Sequence, residues 1–378
     1  MHGGNLLEAA EEYGRDSFID LSANINVFGP PEAVWRAIER SLKTIANYPD
    51  PEYRRLRRNM AQRYSLSEKE ILLGNGAGEL IFTLLHALKP SKVLIPEPAF
   101  SEYGRAARAC GAEVNKLILD VEGWNSLDLE LVDTLRIWEK AMAENDLIFI
   151  NSPHNPTGSS LKREQFERLI SLAHKYKTWV VLDESFVDFL EDEIRWSGKE
   201  YLRDFPNLLV LYSLTKFYSI PGLRLGSIFA APSLLDRLKE QRDPWAVNGL
   251  AEEAGIAALA DEGYGEQIRR RLGDSKNYFY NEFQSRLMEG KLSGIKIYPS
   301  TVNFALIEIL SSEGAKDSLG IKSRKQEIIQ RLGFRGILVR DCDNFQGLSG
   351  EFIRVAIKER ESMKALLEGL QEFDNIVL

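Results

Sequence analysis

The chain has 378 residues, 44% of them hydrophobic and 28% charged, with a formal net charge of -8. That length supports a large core and more than one domain, and the acidic balance argues against a general nucleic-acid or membrane surface. No apolar run approaches the ~20 residues of a membrane span, and the distant pair Cys110 and Cys342 reads as reduced thiols of a cytoplasmic protein. The opening Met1-His-Gly-Gly-Asn5 has no basic-then-apolar pattern, so no signal peptide is expected.

In chain order, the spacing predicts a short helix over 5–14, ended by Gly14, and a brief strand over 18–22. Pro30-Pro31-Glu32 opens a helical pattern through Val34, Ile38 and Leu42, since proline is welcome in a first turn. Pro49 and Pro51 forbid a continuous helix, which resumes near 52–64. From about 70 to 230, short apolar runs alternate with amphipathic helices. Strands are expected over 71–73, 93–95, 147–150, 179–182 and 208–211. Helices are expected from the glycine loop 74–78 to Leu88, over 101–110 and over 163–176. Continuous apolar strands alternating with helices indicate an α/β fold, with a mostly parallel sheet covered on both faces. After Phe229, a helix over 232–241 and a long one over roughly 248–290 follow. Strands over 295–298, 303–306 and 352–356, with helices near 322–332 and 360–371, read as a smaller α+β domain. The expected division is an N-terminal segment 1–45 packing with the small domain, a large domain 46–245 and a small C-terminal domain 246–378.

Ligands of open α/β sheets sit beyond the carboxyl ends of the strands. The strand readings end at the glycine loop, at Asn155, at Asp183 and at Lys216. A lysine there fits an imine-forming amine. Ser213, Thr215 and Arg224 beside it fit a phosphate, the arginine by its fork and the hydroxyls by single bonds. Gly76, Ala77 and Gly78 open a helix, where free amides and the dipole favour an anion. Neither a Walker nor a dinucleotide glycine pattern is present. Asp183 suits a pyridinium nitrogen, or equally a helix cap or an ion pair. Asn155 suits a ring oxygen, or ordinary Asn-Pro turn chemistry. Phe100 suits ring stacking or core burial. Arg340 and Arg354, in the small domain, suit a carboxylate or phosphate, or a buried salt bridge. His2 lies beside Gly3 and Gly4, which let backbone approach a ligand closely. The four histidines show no metal spacing.

With these residues in view, the chain resembles fold-type I pyridoxal-phosphate (PLP) enzymes of the class I/II aminotransferase family, over nearly its whole length. Asn155-Pro-Thr-Gly158, Asp183-Glu184 and Ser213-Leu-Thr-Lys216 with Arg224 stand in that family's order and spacing. Matches also cover His2-Gly-Gly-Asn5, Ser22-Ala-Asn-Ile-Asn26, Tyr48-Pro-Asp-Pro51, Phe100-Ser-Glu-Tyr-Gly104 and Arg354-Val-Ala-Ile357. The resemblance implies that Lys216 holds PLP, Asp183 faces its ring nitrogen, Asn155 reaches its ring oxygen and Phe100 stacks on it. Gly76, Ala77, Gly78, Ser213 and Arg224 would hold its phosphate, with Tyr48 supplied by the partner of a homodimer. His2, Gly3, Asn24, Asn155, Arg340 and Arg354 would bind a small amino acid phosphate. The implied activity is decarboxylation of L-threonine O-3-phosphate in cobalamin biosynthesis, with histidinol-phosphate transamination as the alternative. Phe186 stands where related aminotransferases carry a tyrosine, which favours the decarboxylase. Val27-Phe28, in place of Asn-Pro, leaves the path of the N-terminal loop open. A serine acyl-enzyme built on Ser213-x-x-Lys216 lacks its companion Lys-Thr-Gly. A non-catalytic regulator of the same fold would need a DNA-binding extension, which the enzyme-like region leaves no room for.

Overall fold

The structure is a computed structural model that describes residues 3–119, 121, 131–192, 194–310 and 323–374. His2 lies outside the described residues. The strands are β1 (Ile19–Asp20), β2 (Ile71–Gly74), β3 (Lys92–Glu97), β4 (Glu113–Ile118), β5 (Leu147–Asn151), β6 (Trp179–Asp183), β7 (Leu208–Ser213) and β8 (Gly226–Ala230). They continue as β9 (Ile295–Ile297), β10 (Phe304–Ile309), β11 (Ile337–Leu338), β12 (Arg340–Asp341) and β13 (Glu351–Ala356).

Seven strands form the central sheet in the order β2-β8-β7-β6-β5-β3-β4. All neighbours pair in parallel except β8, which runs antiparallel to both β2 and β7. β2, β5 and β7 are buried at every position, as a sheet covered on both faces requires. The pattern reading missed two strands of this sheet, and the short β11 and β12 of the small domain. β4 is an edge strand with only half-buried or exposed side chains, so it carries no apolar run. β8 follows Arg224 so closely that it merged with the motif before it. Burial on both sheet faces makes two apolar layers, one centred on Ile150, Leu182 and Val210, the other on Phe149, Val181 and Leu211. Adjacent strand residues point to opposite faces, so each strand feeds both layers.

The single helix expected over 248–290 is two helices, Gly249–Ala260 and Glu262–Met288. Asp261 leaves helical geometry and its side chain accepts from Tyr264 N at 3.1 Å. That is an N-cap, a role in which a short carboxylate competes well with the helix ladder. A four-stranded antiparallel sheet, β12-β13-β10-β9, lies beyond them.

The N-terminal residues join this second sheet region. β1 pairs in parallel with β11, and Ala356 N donates to Leu21 O at 2.7 Å. Tyr13 packs edge-on against Phe334 with ring centres 5.4 Å apart. Asn26 then carries the chain to the large sheet: its backbone N–H donates to Lys216 O at 3.0 Å and its side-chain amide to Phe217 O at 2.9 Å. Its Oδ1 accepts from Phe28 N at 3.0 Å. The loop path left open by Val27-Phe28 is therefore a turn closed by the Asn26 side chain. Among the described residues, no helix is long and apolar enough to cross a membrane.

Candidate active site

The carboxyl ends of β2, β5, β6 and β7 meet at two adjoining cavities of about 670 and 220 Å³. Phe100, Asn155, Phe186, Thr215, Lys216 and Arg224 line both. Lys216 lies on the single helical turn Leu214–Phe217 that follows β7, with Nζ 3.4 Å from Ser213 Oγ. Ser213 Oγ and Thr215 Oγ1 are 2.8 Å apart. Burial pushes the Lys216 amine below the ordinary lysine range. Asp183 opposes that shift, and the positive Arg224 and Arg354 add to it. A buried lysine whose charged form is disfavoured is a better nucleophile than a surface cation.

Asp183 ends β6 and is buried. Its Oδ1 accepts from Ser185 N at 2.9 Å and its Oδ2 from the Tyr103 hydroxyl at 2.5 Å. Burial, with the Asp183 charge beside it, holds the Tyr103 phenol well above its usual range, so it stays a donor. Among the described residues, no cation forms a salt bridge with Asp183. The ion-pair alternative for this carboxylate is absent from the described residues, and it faces the large cavity.

Arg224 has a left-handed backbone, with φ +56°, a strained setting for a non-glycine residue. This conformation carries its guanidinium over the start of the helix Gly76–Leu88. A Cβ on Gly76 would come within 2.5 Å of Arg224 Nη2, and Gly76 itself has φ +79°. The φ favours glycine, and any side chain there would push the Arg224 guanidinium aside. The first-turn amides of Gly76, Ala77 and Gly78 have no intrahelical partner. Ala77 and Gly78 line the same cavity as Arg224, Ser213 and Thr215, and Gly76 lies against the Arg224 guanidinium. The result is a cradle for a small anion.

The smaller cavity is built mostly from the small domain and the N-terminal loop. Arg354 is buried in β13. Its Nη1 donates to Asn155 Oδ1 at 2.5 Å and its Nη2 to Ser22 O at 2.9 Å, while Nε is buried without a hydrogen-bond partner. Burial lowers its pKa to about 10. Arg340 Nη2 donates to Asn344 Oδ1 at 2.5 Å, and burial lowers its pKa too. Among the described residues, neither arginine has a carboxylate within salt-bridge distance. A buried cation without an anion is costly, so the cavity suits an anionic ligand. Asn24 lines the same cavity, and both polar atoms of its amide are buried without a partner. Gly3 lines it as well, and a Cβ there would stand 2.2 Å from Ser22 O.

Asn155 is set by its backbone N–H, which donates to Asn151 Oδ1 at 2.8 Å. Its oxygen is taken by Arg354, so its NH2 is the group left for the cavity. Phe186 packs edge-on against Phe304, with Lys216 Nζ 5.2 Å from its ring centre. Of the residues singled out by sequence, the structure brings together all but two. Tyr48 is 82% exposed, packs at a tilt against Trp245 and lines neither cavity of its own chain. His2 is the other, being undescribed. Sequence reasoning gave no role to Tyr103, Asn151, Ser185, Ser22 or Asn344. Tyr103 had a signal: it stands three residues after Phe100 in a helix, so the two share a face.

These features fit PLP. The cradle matches its phosphate, Lys216 its aldehyde, and Asp183 its ring nitrogen. A family model described as Aminotransferase class I and II matches residues 16–370. The threonine-phosphate decarboxylase of Salmonella typhimurium is 34% identical over 98% of this chain and 95% of its own. The adenosylcobalamin biosynthesis bifunctional protein CobDQ of Leptospira interrogans is 30% identical over 99% of this chain and 41% of its own. Among solved structures, L-threonine-O-3-phosphate decarboxylase from Porphyromonas gingivalis superposes with a TM-score of 0.77. It is 26% identical and covers 93% of this chain and 98% of its own.

Proposed function

We propose that this chain, which belongs to the class I and II aminotransferase family, is a PLP-dependent decarboxylase converting L-threonine O-3-phosphate to (R)-1-amino-2-propanol O-2-phosphate in cobalamin biosynthesis. The observation that carries the substrate class is the smaller cavity. Its two buried arginines and the unpartnered amide of Asn24 await a ligand with more than one anionic group. A carboxylate and a phosphate supply two.

Bound PLP supplies an electron sink for the pair of electrons left on the substrate α-carbon when CO2 departs. Asp183 would hold a proton on the ring nitrogen, and Tyr103 and Ser185 N–H fix that carboxylate in place. Phe100 would pack against the cofactor ring and the Asn155 NH2 would donate to its ring oxygen. Gly76, Ala77, Gly78, Ser213 and Arg224 hold the phosphate. Arg340, Arg354, Asn24, Gly3 and His2 would bind and orient the substrate's anionic groups. Lys216 would hold the cofactor aldehyde, and its amine is the group placed to carry a proton to the substrate α-carbon. Phe186 places no hydroxyl beside the ring oxygen, unlike the tyrosine of related aminotransferases.

The divisions 1–45, 46–245 and 246–378 belong to this proposal, supported by the β1–β11 pairing. So does a homodimer in which Tyr48 reaches the partner's cofactor phosphate, supported by its exposed ring. A cytoplasmic location is proposed on the unpaired Cys110 and Cys342. The test is a product assay on L-threonine O-3-phosphate with PLP and no amino acceptor. CO2 and the phosphorylated amino alcohol should appear in equal amounts. Keto-acid formation that depends on 2-oxoglutarate and releases no CO2 would reject the reading and favour a histidinol-phosphate aminotransferase.

A further inference from the structure

β3 and β5 are neighbours in the sheet, but their pairing is confined to Val93↔Leu147 and Leu94↔Ile148. β3 continues to Glu97 against β4 alone, and β5 continues to Asn151 against β6. The two chains therefore diverge as they approach the cavity. Pro96 and Pro98 have no N–H to donate across the gap. Yet the segments that follow carry two walls of the site, Phe100 after β3 and Asn155 after β5.

His154 spans this gap. It is 2% exposed. Its Nε2 lies 2.8 Å from Pro98 O and its Nδ1 lies 2.8 Å from Thr157 Oγ1. Pro98 O can only accept, so Nε2 carries the proton and Nδ1 accepts from the Thr157 hydroxyl. Burial lowers the His154 pKa to about 3, so this single neutral tautomer persists across the physiological range. The backbone of His154 is fixed as well: its N–H donates to Ser159 O at 2.7 Å and its carbonyl accepts from Gly158 N at 2.7 Å. One end of the imidazole is thus set by the Asn155 turn, and the other holds the loop that carries Phe100.

We propose that His154 is a positioning residue for the cofactor: its bond to Pro98 O sets the spacing between the Phe100 wall and the Asn155 edge, and so the seat of the pyridine ring. The inference rests on the reading of the large cavity as the PLP site. It adds a demand for one bond rather than for bulk. Glutamine can place an N–H donor where Nε2 stands, keeping the Pro98 link. Asparagine reaches only as far as Nδ1, keeping the Thr157 link and leaving Pro98 O unmet.

The test is a PLP titration of apoenzyme for wild type, His154→Gln and His154→Asn, read by the dissociation constant and the position of the bound-cofactor absorption band. Melting temperature of each apoprotein reports folding. The expected result is His154→Gln within about threefold of wild type, and His154→Asn weaker by about tenfold with a displaced band, the cost of one unmet buried acceptor. Equal affinity and an unmoved band for both variants would overturn the proposal. So would equal weakening of both in step with a lower melting temperature, since that marks a purely structural residue. If wild type itself failed to bind PLP, the cavity assignment would fall instead, which separates the two failures.

Discussion

The Tyr103 hydroxyl donates to Asp183 Oδ2 at 2.5 Å, joining the helix Ser101–Ala109 to the last residue of β6. The bond orients a buried carboxylate from the side of the Phe100 wall. Tyr103→Phe removes the donor with little change in shape. Because a buried acceptor left unmet costs about 1–3 kcal/mol, kcat should fall about tenfold or more. PLP affinity should weaken in the same variant, read by titration of apoenzyme. An unchanged kcat would mean that Ser185 N–H alone holds Asp183.

Asn24 offers a different signature, because its buried amide has no partner in the unliganded chain. Asn24→Ala should leave the melting temperature of the unliganded protein unchanged or slightly higher, since an unsatisfied polar group is removed. The KM for L-threonine O-3-phosphate should rise by about tenfold, the worth of one or two polar contacts to a charged ligand. Loss of stability without a change in KM would assign Asn24 to the scaffold.

Arg354 ties the substrate cavity to pH. Its pKa is lowered to about 10 by burial. An anion is held only while the guanidinium is charged, so substrate affinity is retained below that pH and lost as pH rises through it. KM measured from neutral pH upward should climb near pH 10 in wild type. Arg354→Met should raise KM by about a hundredfold at neutral pH, in line with 2–5 kcal/mol for a buried charge contact. Its KM should also lose the alkaline rise.

His154 makes folding itself pH-dependent. Its folded pKa is lowered to about 3, whereas an exposed histidine takes up its proton near pH 6.5. Between these values the unfolded chain binds more protons, so stability is full above about pH 6.5 and falls as pH drops. The loss from this residue alone is about 2 kcal/mol at pH 5. His154→Gln should therefore lose less stability than wild type between pH 7 and pH 5, measured by denaturant unfolding at each pH.

Much of the site was legible in the sequence because strand ends announce themselves. Asp183 and Lys216 each follow apolar runs that are buried at nearly every position, and a buried strand leaves its first polar residue at the ligand edge. The glycines at 76 and 78 were legible as a helix start, but not the reason for Gly76, which is the Arg224 guanidinium above it. Arg340 and Arg354 were read with a salt bridge open as the alternative. Only the three-dimensional neighbourhood shows that no carboxylate among the described residues lies within salt-bridge distance of them. Tyr103 and His154 were passed over because their partners, Asp183 and Pro98, are 80 and 56 positions away. No local pattern carries such a bond. The strand Gly226–Ala230 and the break at Asp261 were missed for a related reason: each is decided by a neighbour in space or by one capping side chain, not by periodicity.

Reductive trapping tests the centre of this account most directly. Holoenzyme treated with borohydride, digested and mapped by mass spectrometry should carry a pyridoxyl group on Lys216, with none on the buried Lys199, whose ammonium is paired with Glu184 at 2.7 Å. A pyridoxyl group on any other lysine, or no covalent label at all in protein that has bound PLP, would contradict it.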